Sequence, residues 1–279
     1  MLLNPVQTRA LFSHALAHRY AILAVNADSP AAVLDVLEAA RASDAPVIIE
    51  TSLWQLKGRS FGAGDPILGV QRYEADLRVL ASSPRFHPVP VVLHTDHIKG
   101  PETLSILQAA IPLYSSLSID SSEMTEEQNI QTFCELCTFA QARSLPLALE
   151  MEAGVDDGLT PLDVTRRLLG SVERQHPGML ALWAPGVGTR HGFSDVGFPA
   201  FSSDHVAAQA AEASTLCGRP IGIALHGSSG LPEEHLLAAV QAGVAKVNWS
   251  SESLLIRSQA AQQFFLAHRA ELEKTHPAW

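Results

Sequence analysis

Residues 221–252 read IGIALHGSSGLPEEHLLAAVQAGVAKVNWSSE. Ile221–Leu225 is a short apolar run, and a Gly/Ser turn follows it. A stretch of helical period runs from Pro232 to Gln241, and Gly243 stops it before a second apolar run, Val244–Val247. Proline in the first turn and glycine just past the end are the expected punctuation of a helix. Apolar runs this short and continuous suit strands buried on both faces, as in a parallel sheet. The segment therefore reads as one strand–helix–strand unit.

The same beat recurs along the chain. Ala21–Val25, Pro46–Ile49, Pro90–Leu93, Leu117–Ile119, Pro146–Leu149 and Met179–Trp183 supply six more strand candidates, making eight. Helical stretches lie between them: Pro30–Arg41 after the N-cap candidate Ser29, Thr125–Arg143 opened by a Thr-x-x-Gln capping box, Pro161–Ser171, and a long final helix Ser253–Lys274. About eight helices alternating with eight strands predict a single (β/α)8 barrel over 1–279 with a C-terminal helical extension. A doubly wound open sheet would normally show GxGxxG after its first strand, and AILAVNADSP has none.

Composition fits this reading. A chain of 279 residues, 47% hydrophobic, buries about 75% of its unfolded surface at this size. Its 19 Lys+Arg against 29 Asp+Glu argue against a nucleic-acid or anionic-membrane partner, both of which need a basic face. No apolar run approaches the ~20 residues of a membrane span, and the first residues lack the pattern of a secretory signal, so a cytoplasmic protein is expected. Three cysteines cannot build a disulfide framework. Cys134 and Cys137 form a CxxC on a helical stretch with no second pair to complete a zinc site, and read as packed thiols, as does Cys217.

In such barrels chemistry gathers just after each strand. Those positions hold Asn26, Ser52, Asp96 and His97, Asp120, Glu152, His191, His226 and Asn248. Three imidazoles from separate strands (His97, His191 and His226) leave one coordination position open, the arrangement of a catalytic zinc site. Asp96, adjoining His97, is placed to exchange a proton beside a bound metal. Asp120 and Glu152 are suited to a second cation or a neighbouring water, while Asp156 and Asp157 lie in a polar loop able to move over the site. His226-Gly227-Ser228-Ser229-Gly230 opens one helix and Asn248-Trp249-Ser250-Ser251 opens the last. Both read as anion sites at helix N-termini, after strands seven and eight where barrel phosphate sites commonly fall.

These motifs resemble one family. VPVVLHTDHIKG (89–100), SIDSSEMTEEQNI (118–130), LEMEAGVDDG (149–158), GTRHG (188–192), IALHGSSGLPEEHLLAAVQAGVAKVN (223–248) and YAILAVNADSPAAVLDVLEAARASDAPVIIETS (20–52) are similar to the class II, zinc-dependent ketose-bisphosphate aldolases, which act on fructose and tagatose bisphosphates. The likeness runs from about Asn4 to Arg257. It implies aldol cleavage and condensation through a zinc-stabilised enediolate of dihydroxyacetone phosphate. By that resemblance His97, His191 and His226 bind the catalytic Zn2+, and Asp96 donates the proton to the aldehyde-derived oxygen. Gly192, Gly227–Ser229 and Asn248–Ser251 hold the triose phosphate. Asp120 and Glu152 lie near an alternate or second metal position, so a second or monovalent cation is also expected. Asn26 and Ser52 complete the expected substrate pocket, and a homo-oligomer, dimer or tetramer, is the family habit.

The departures cluster at the substrate side. Ile98-Lys99 follows the Asp-His pair, and the glycine-rich loop after Glu152, which in the family supplies or positions the base, is shortened around Asp156 and Asp157. Arg190 precedes the second histidine, and Trp249 and Ser251 alter the motif after Asn248. An aldolase with an altered aldehyde partner follows, with Arg190 and Lys99 as readers of an acidic group. Two other readings stay open: a sugar-phosphate-binding or regulatory paralogue without turnover, and a zinc-dependent barrel hydrolase.

Overall fold

The computed structural model describes residues 1–120, 124–154, 158–193, 195, 197–198 and 200–273. Its elements run α1 (Pro5–His18), β1 (Ile22–Asn26), α2 (Pro30–Ala42), β2 (Val47–Thr51), α3 (Leu53–Lys57), α4 (Pro66–Ser82), β3 (Val91–Thr95), α5 (Thr103–Ala110) and β4 (Ser116–Ile119). They continue α6 (Glu126–Gln141), β5 (Leu149–Glu152), α7 (Leu162–Gln175), β6 (Leu180–Ala184), α8 (Ser203–Cys217), β7 (Gly222–Leu225), α9 (Glu233–Ala242), β8 (Val244–Trp249) and α10 (Ser251–Ala267), with a short 3-10 turn at Arg269–Leu272. The strands pair in parallel in sequence order, and β8 pairs back onto β1. This is the closed (β/α)8 barrel expected from the alternation.

Local chemistry explains the boundaries. Ser29 caps α2 through the Ala32 N–H, and Thr125 with Gln128 forms the capping box of α6. Two helices escape the sequence pattern: α1, ahead of the first strand, and the five-residue α3, boxed by Ser52 and Gln55. The predicted fifth strand is corrected from Pro146–Leu149 to Leu149–Glu152. Glu150 and Glu152 look wrong for a strand buried on both faces, yet both are buried inside the barrel. Lys274, the predicted end of the last helix, lies outside the described residues; the helix itself ends at Ala267.

The larger core lies between barrel and helices, around Leu37, Ile49, Tyr73, Leu93, Phe133 and Trp183. A second cluster fills the barrel interior with Ile22, Ala24, Ile48, Val92, Leu182 and Ala224, joined by Phe12 and Ala15 of α1. The Arg9 guanidinium of α1 donates to the carbonyls of Leu147, Met179 and Leu180, at the starts of β5 and β6. With α1 seated there, the opposite end, formed by the C-terminal ends of the strands, is the open one. No helix among the described residues is long and apolar enough to cross a membrane.

Candidate metal centre and substrate cavity

His97 follows β3 with φ +49°, a left-handed conformation that turns its ring back over the barrel mouth. Its Nδ1 lies 2.7 Å from Asp120 Oδ2. A carboxylate only accepts, so Nδ1 carries a hydrogen and Nε2 is the ring atom left facing the other imidazoles. His226, after β7, is arranged in mirror fashion: its Nε2 lies 2.9 Å from Glu150 Oε1, which leaves Nδ1 facing the other imidazoles. His97 Nε2 stands 2.9 Å from His191 Nε2 and 3.3 Å from His226 Nδ1.

The 3.3 Å spacing equals the edge of a zinc tetrahedron and the 2.9 Å spacing falls somewhat below it. Zn–N bonds of about 2.05 Å place tetrahedral nitrogens about 3.3 Å apart. The donor set suits a cation for a second reason. Among the described residues, Glu50, Asp96, Asp120, Glu150 and Glu152 are buried inside or at the rim of the barrel, against the single buried ammonium of Lys246. Burial raises the Glu152 carboxyl well above its usual range, and Asp120, Glu150 and Asp96 add to the rise against the pull of His97. Burial disfavours the His97 imidazolium, but Asp96, Glu152 and Asp120 outweigh it and hold its pKa high. Burial brings His226 down to about 4 despite Glu150, so it stands neutral and ready to ligate. Asp96, His97, Glu152 and His226 form a second group of converging ligand atoms beside the histidine trio.

Asp96 is clamped by Asn26 Nδ2 at 3.0 Å and Asn248 Nδ2 at 3.1 Å, one to each oxygen. Burial opposes its ionisation, yet the charges of His97 and Lys246 and the Asn26 hydrogen bond keep its pKa below the ordinary carboxylate value. It sits at the floor of a cavity of about 390 Å³. Asn26, Ser52, Gly192, Gly227, Ser228, Ser229, Asn248, Ser250 and Ser251 all line that cavity, as do His97 and His191. Trp249 does not: its indole N–H turns to Glu252 Oε2 at 2.9 Å.

The glycine turn differs from its sequence reading in one respect. Helix α9 begins only at Glu233, so Gly227–Gly230 is a turn of its own and not the helix's first turn. Gly227 adopts φ +64°, and a Cβ there would meet the Arg190 backbone at 2.5 Å. Ser228 donates to the Asn248 carbonyl and Ser229 Oγ accepts from the Glu252 N–H at 3.1 Å, which ties this turn to the start of α10. Helix α10 does begin at Ser251, with Ser250 and Ser251 facing the cavity.

Among the other expected residues, Glu152 receives the Ser118 hydroxyl and lies 3.5 Å from His97 Nδ1. Lys99 Nζ pairs with Asp120 Oδ2 at 3.2 Å. Asp156 and Asp157 lie outside the described residues. Cys134 and Cys137 sit on α6, and burial raises both thiols, Cys137 to about 12, as packed and unreactive groups. Four functional-looking side chains were missed: Glu50, His94, Glu150 and Lys246, all fully buried. Their signal was present in the sequence as charged or ring residues inside apolar runs (VIIET, VVLHT, LEME, VAKVN). The rim residues Leu53, Trp54, Gln55 and Leu254 carried none.

A closed parallel barrel whose strand ends gather a histidine trio, paired acids and a Gly/Ser cradle defines a barrel enzyme with a site fit for a metal. The class-II fructose-bisphosphate aldolase family model matches residues 6–277. A fructose-bisphosphate aldolase of Streptococcus pneumoniae is 28% identical over 266 residues, covering 91% of this chain and 83% of that protein. The fructose-bisphosphate aldolase of Candida albicans is 28% identical over 276 residues, covering 87% and 76%. The solved fructose-bisphosphate aldolase of Campylobacter jejuni shares the fold with a TM-score of 0.83 at 23% identity, covering 100% of this chain and 86% of that one. The YdjI aldolase of Escherichia coli K12 does so with a TM-score of 0.68 at 20% identity, covering 98% and 88%. The chain belongs to the class-II fructose-bisphosphate aldolase family and is an aldolase, a carbon–carbon lyase.

Proposed function

We propose that this aldolase forms and cleaves a ketose phosphate whose ketone half is dihydroxyacetone phosphate, with Zn2+ held by His97, His191 and His226. The observation that carries this reading is the convergence of His97 Nε2, His191 Nε2 and His226 Nδ1 beside a cavity lined by His97, His191, Asp96 and a Gly/Ser cradle. Bound there, zinc supplies Lewis acidity to the ketone carbonyl and so acidifies the neighbouring carbon.

The chain's own residues do the rest. Gly227, Ser228 and Ser229 and the N-terminus of α10 at Ser250 and Ser251 receive the phosphate, with Gly192 on the facing wall. Asp96, fixed by Asn26 and Asn248, moves the proton to and from the aldehyde-derived oxygen. Asp120 orients His97, while Glu152 stands beside the pair and offers an oxygen to a second or monovalent cation. Asp156 or Asp157 takes the proton from the ketone carbon. Asn26 and Ser52 face the substrate, while Trp249 acts through Glu252 on the turn at Gly230, whose N–H also reaches Glu252.

A cytoplasmic homo-oligomer is the matching assembly. Its support is α10, which exposes Leu255, Ile256, Phe264, Phe265 and Leu266 and buries only Ser253.

The test is proton exchange at the hydroxymethyl carbon of dihydroxyacetone phosphate in D2O, followed by NMR with zinc-loaded and chelated protein. Zinc-dependent exchange that vanishes in His97→Ala is the expected result. Binding of the phosphate without exchange would leave a binding or regulatory protein in place of an enzyme acting on this ketone.

A further inference from the structure

Beneath the histidine trio lies a buried ionic line that the proposed chemistry does not use. Lys246 Nζ, projecting from β8, sits 2.7 Å from Glu50 Oε1 on β2 and 3.0 Å from Glu150 Oε2 on β5. It is also 3.2 Å from Glu150 Oε1, the oxygen that receives His226 Nε2–H at 2.9 Å. Every side chain in this line is at most 1% exposed. His94, whose Nδ1 is 2.7 Å from Ser116 Oγ, stands on the other side of Glu150 with Nε2 3.6 Å from Oε2.

We propose that Lys246 is a positioning residue for the metal site: by holding both oxygens of Glu150, it fixes the carboxylate that selects Nδ1 of His226 as the ligating atom. The argument rests on the reading that His97, His191 and His226 hold the metal. A carboxylate has two equivalent oxygens and free rotation about its last bond, so a single hydrogen bond to His226 does not fix its plane. The ammonium, contacting both oxygens from below, does. It also supplies the countercharge without which a carboxylate is costly to bury. Removing Lys246 frees Glu150 Oε2 to swing toward His94, and Oε1 then leaves the line of His226 Nε2. The imidazole loses the partner that sets its tautomer, and with it the orientation of Nδ1 toward His97 and His191. Glu50 lies on the far side of Lys246 and, like Glu150 Oε2, meets the ammonium as an ion-pair contact and not as a hydrogen bond of good geometry, whereas Glu150 Oε1 does accept one. Glu50 touches the ammonium but none of the metal-facing atoms.

The experiment measures zinc affinity by competition with a chromophoric chelator, on protein shown to be folded by near-UV circular dichroism. Expected losses in affinity are about tenfold or more for K246M and E150Q, within the range for partners of metal ligands. K246M added to E150Q should change affinity by less than about twofold, because the lysine acts only through the carboxylate. That comparison also covers an unfolded K246M, since E150Q/K246M removes both charges together. Unchanged zinc affinity in folded K246M, or a further tenfold loss when K246M is added to E150Q, would overturn the proposal. Wild-type protein that fails to compete for zinc would remove the metal-site reading itself, an outcome distinct from wild-type binding with unaltered variants.

Discussion

Asn248 Nδ2 lies 3.1 Å from Asp96 Oδ1, across 152 residues of sequence, while Asn26 holds the other carboxylate oxygen. Asp96, the proposed proton-transfer group, is thus fixed by β1 and β8, the two strands whose pairing closes the barrel, so closure and alignment of this carboxylate are one event. For Asp96→Asn the shape and both neighbours are kept and the exchangeable proton is lost. Aldol cleavage should fall by about 10²–10⁴ in kcat. Proton exchange on dihydroxyacetone phosphate should stay within several-fold of wild type, because that step uses a different group. Parallel loss of both activities would show that Asp96 serves the ketone side or the fold.

The histidine trio predicts a simple metal dependence. A strong chelator should abolish turnover and added zinc restore it in wild type. His97→Ala and His226→Ala should remain inactive at any zinc concentration that wild type needs, with bound metal below stoichiometry by elemental analysis. Stoichiometric zinc in either variant would show that neither group of converging ligands holds the metal, because His97 and His226 belong to both.

Gly227→Ala tests the cradle. The residue is left-handed at φ +64°, and the added methyl would meet the Arg190 carbonyl at 2.5 Å. Backbone strain alone costs about 1–3 kcal/mol. The clash adds to this, because main chain cannot swing aside as a side chain would. Urea unfolding should register the loss, and KM for the sugar phosphate should rise. Unchanged stability would mean that this turn relaxes freely and does not present a fixed set of N–H groups.

The barrel and its mouth were legible in the sequence because both follow from position. Apolar runs marked seven strands to within a few residues, and polar residues at their ends marked His97, His191, His226 and Asp96. The interior was not legible for the same reason. Glu150 and Lys246 were passed over because an isolated charge in an apolar strand looks like noise until its partner, 96 residues away, is known to face it. Strand β5 was misplaced on that account, its two glutamates being read as the loop. The 3.5 Å approach of Glu152 to His97 likewise has no local signature, since it joins the end of β5 to the loop after β3 through the fold.

Glu50 gives the pH dependence. Burial pushes its carboxyl up to about 8, with Asp96 and Glu150 adding to the rise and Lys246 opposing it. In the unfolded chain it ionises near 4.5. Between these values the folded protein holds a proton that the unfolded chain releases, so raising the pH favours unfolding. The contribution of this group is most favourable below about 4.5, erodes through the window to about 8, and is constant above it. Glu50→Gln removes the ionisation while keeping the volume. The variant should gain stability relative to wild type as pH rises from 5 to 8.5, by on the order of a few kcal/mol across the window. Urea unfolding of chelated protein at both pH values isolates the effect, because every other titrating group is common to the two proteins. An equal difference at the two pH values would show that Glu50 ionises in the fold as it does in the open chain, with Lys246 compensating its burial in full.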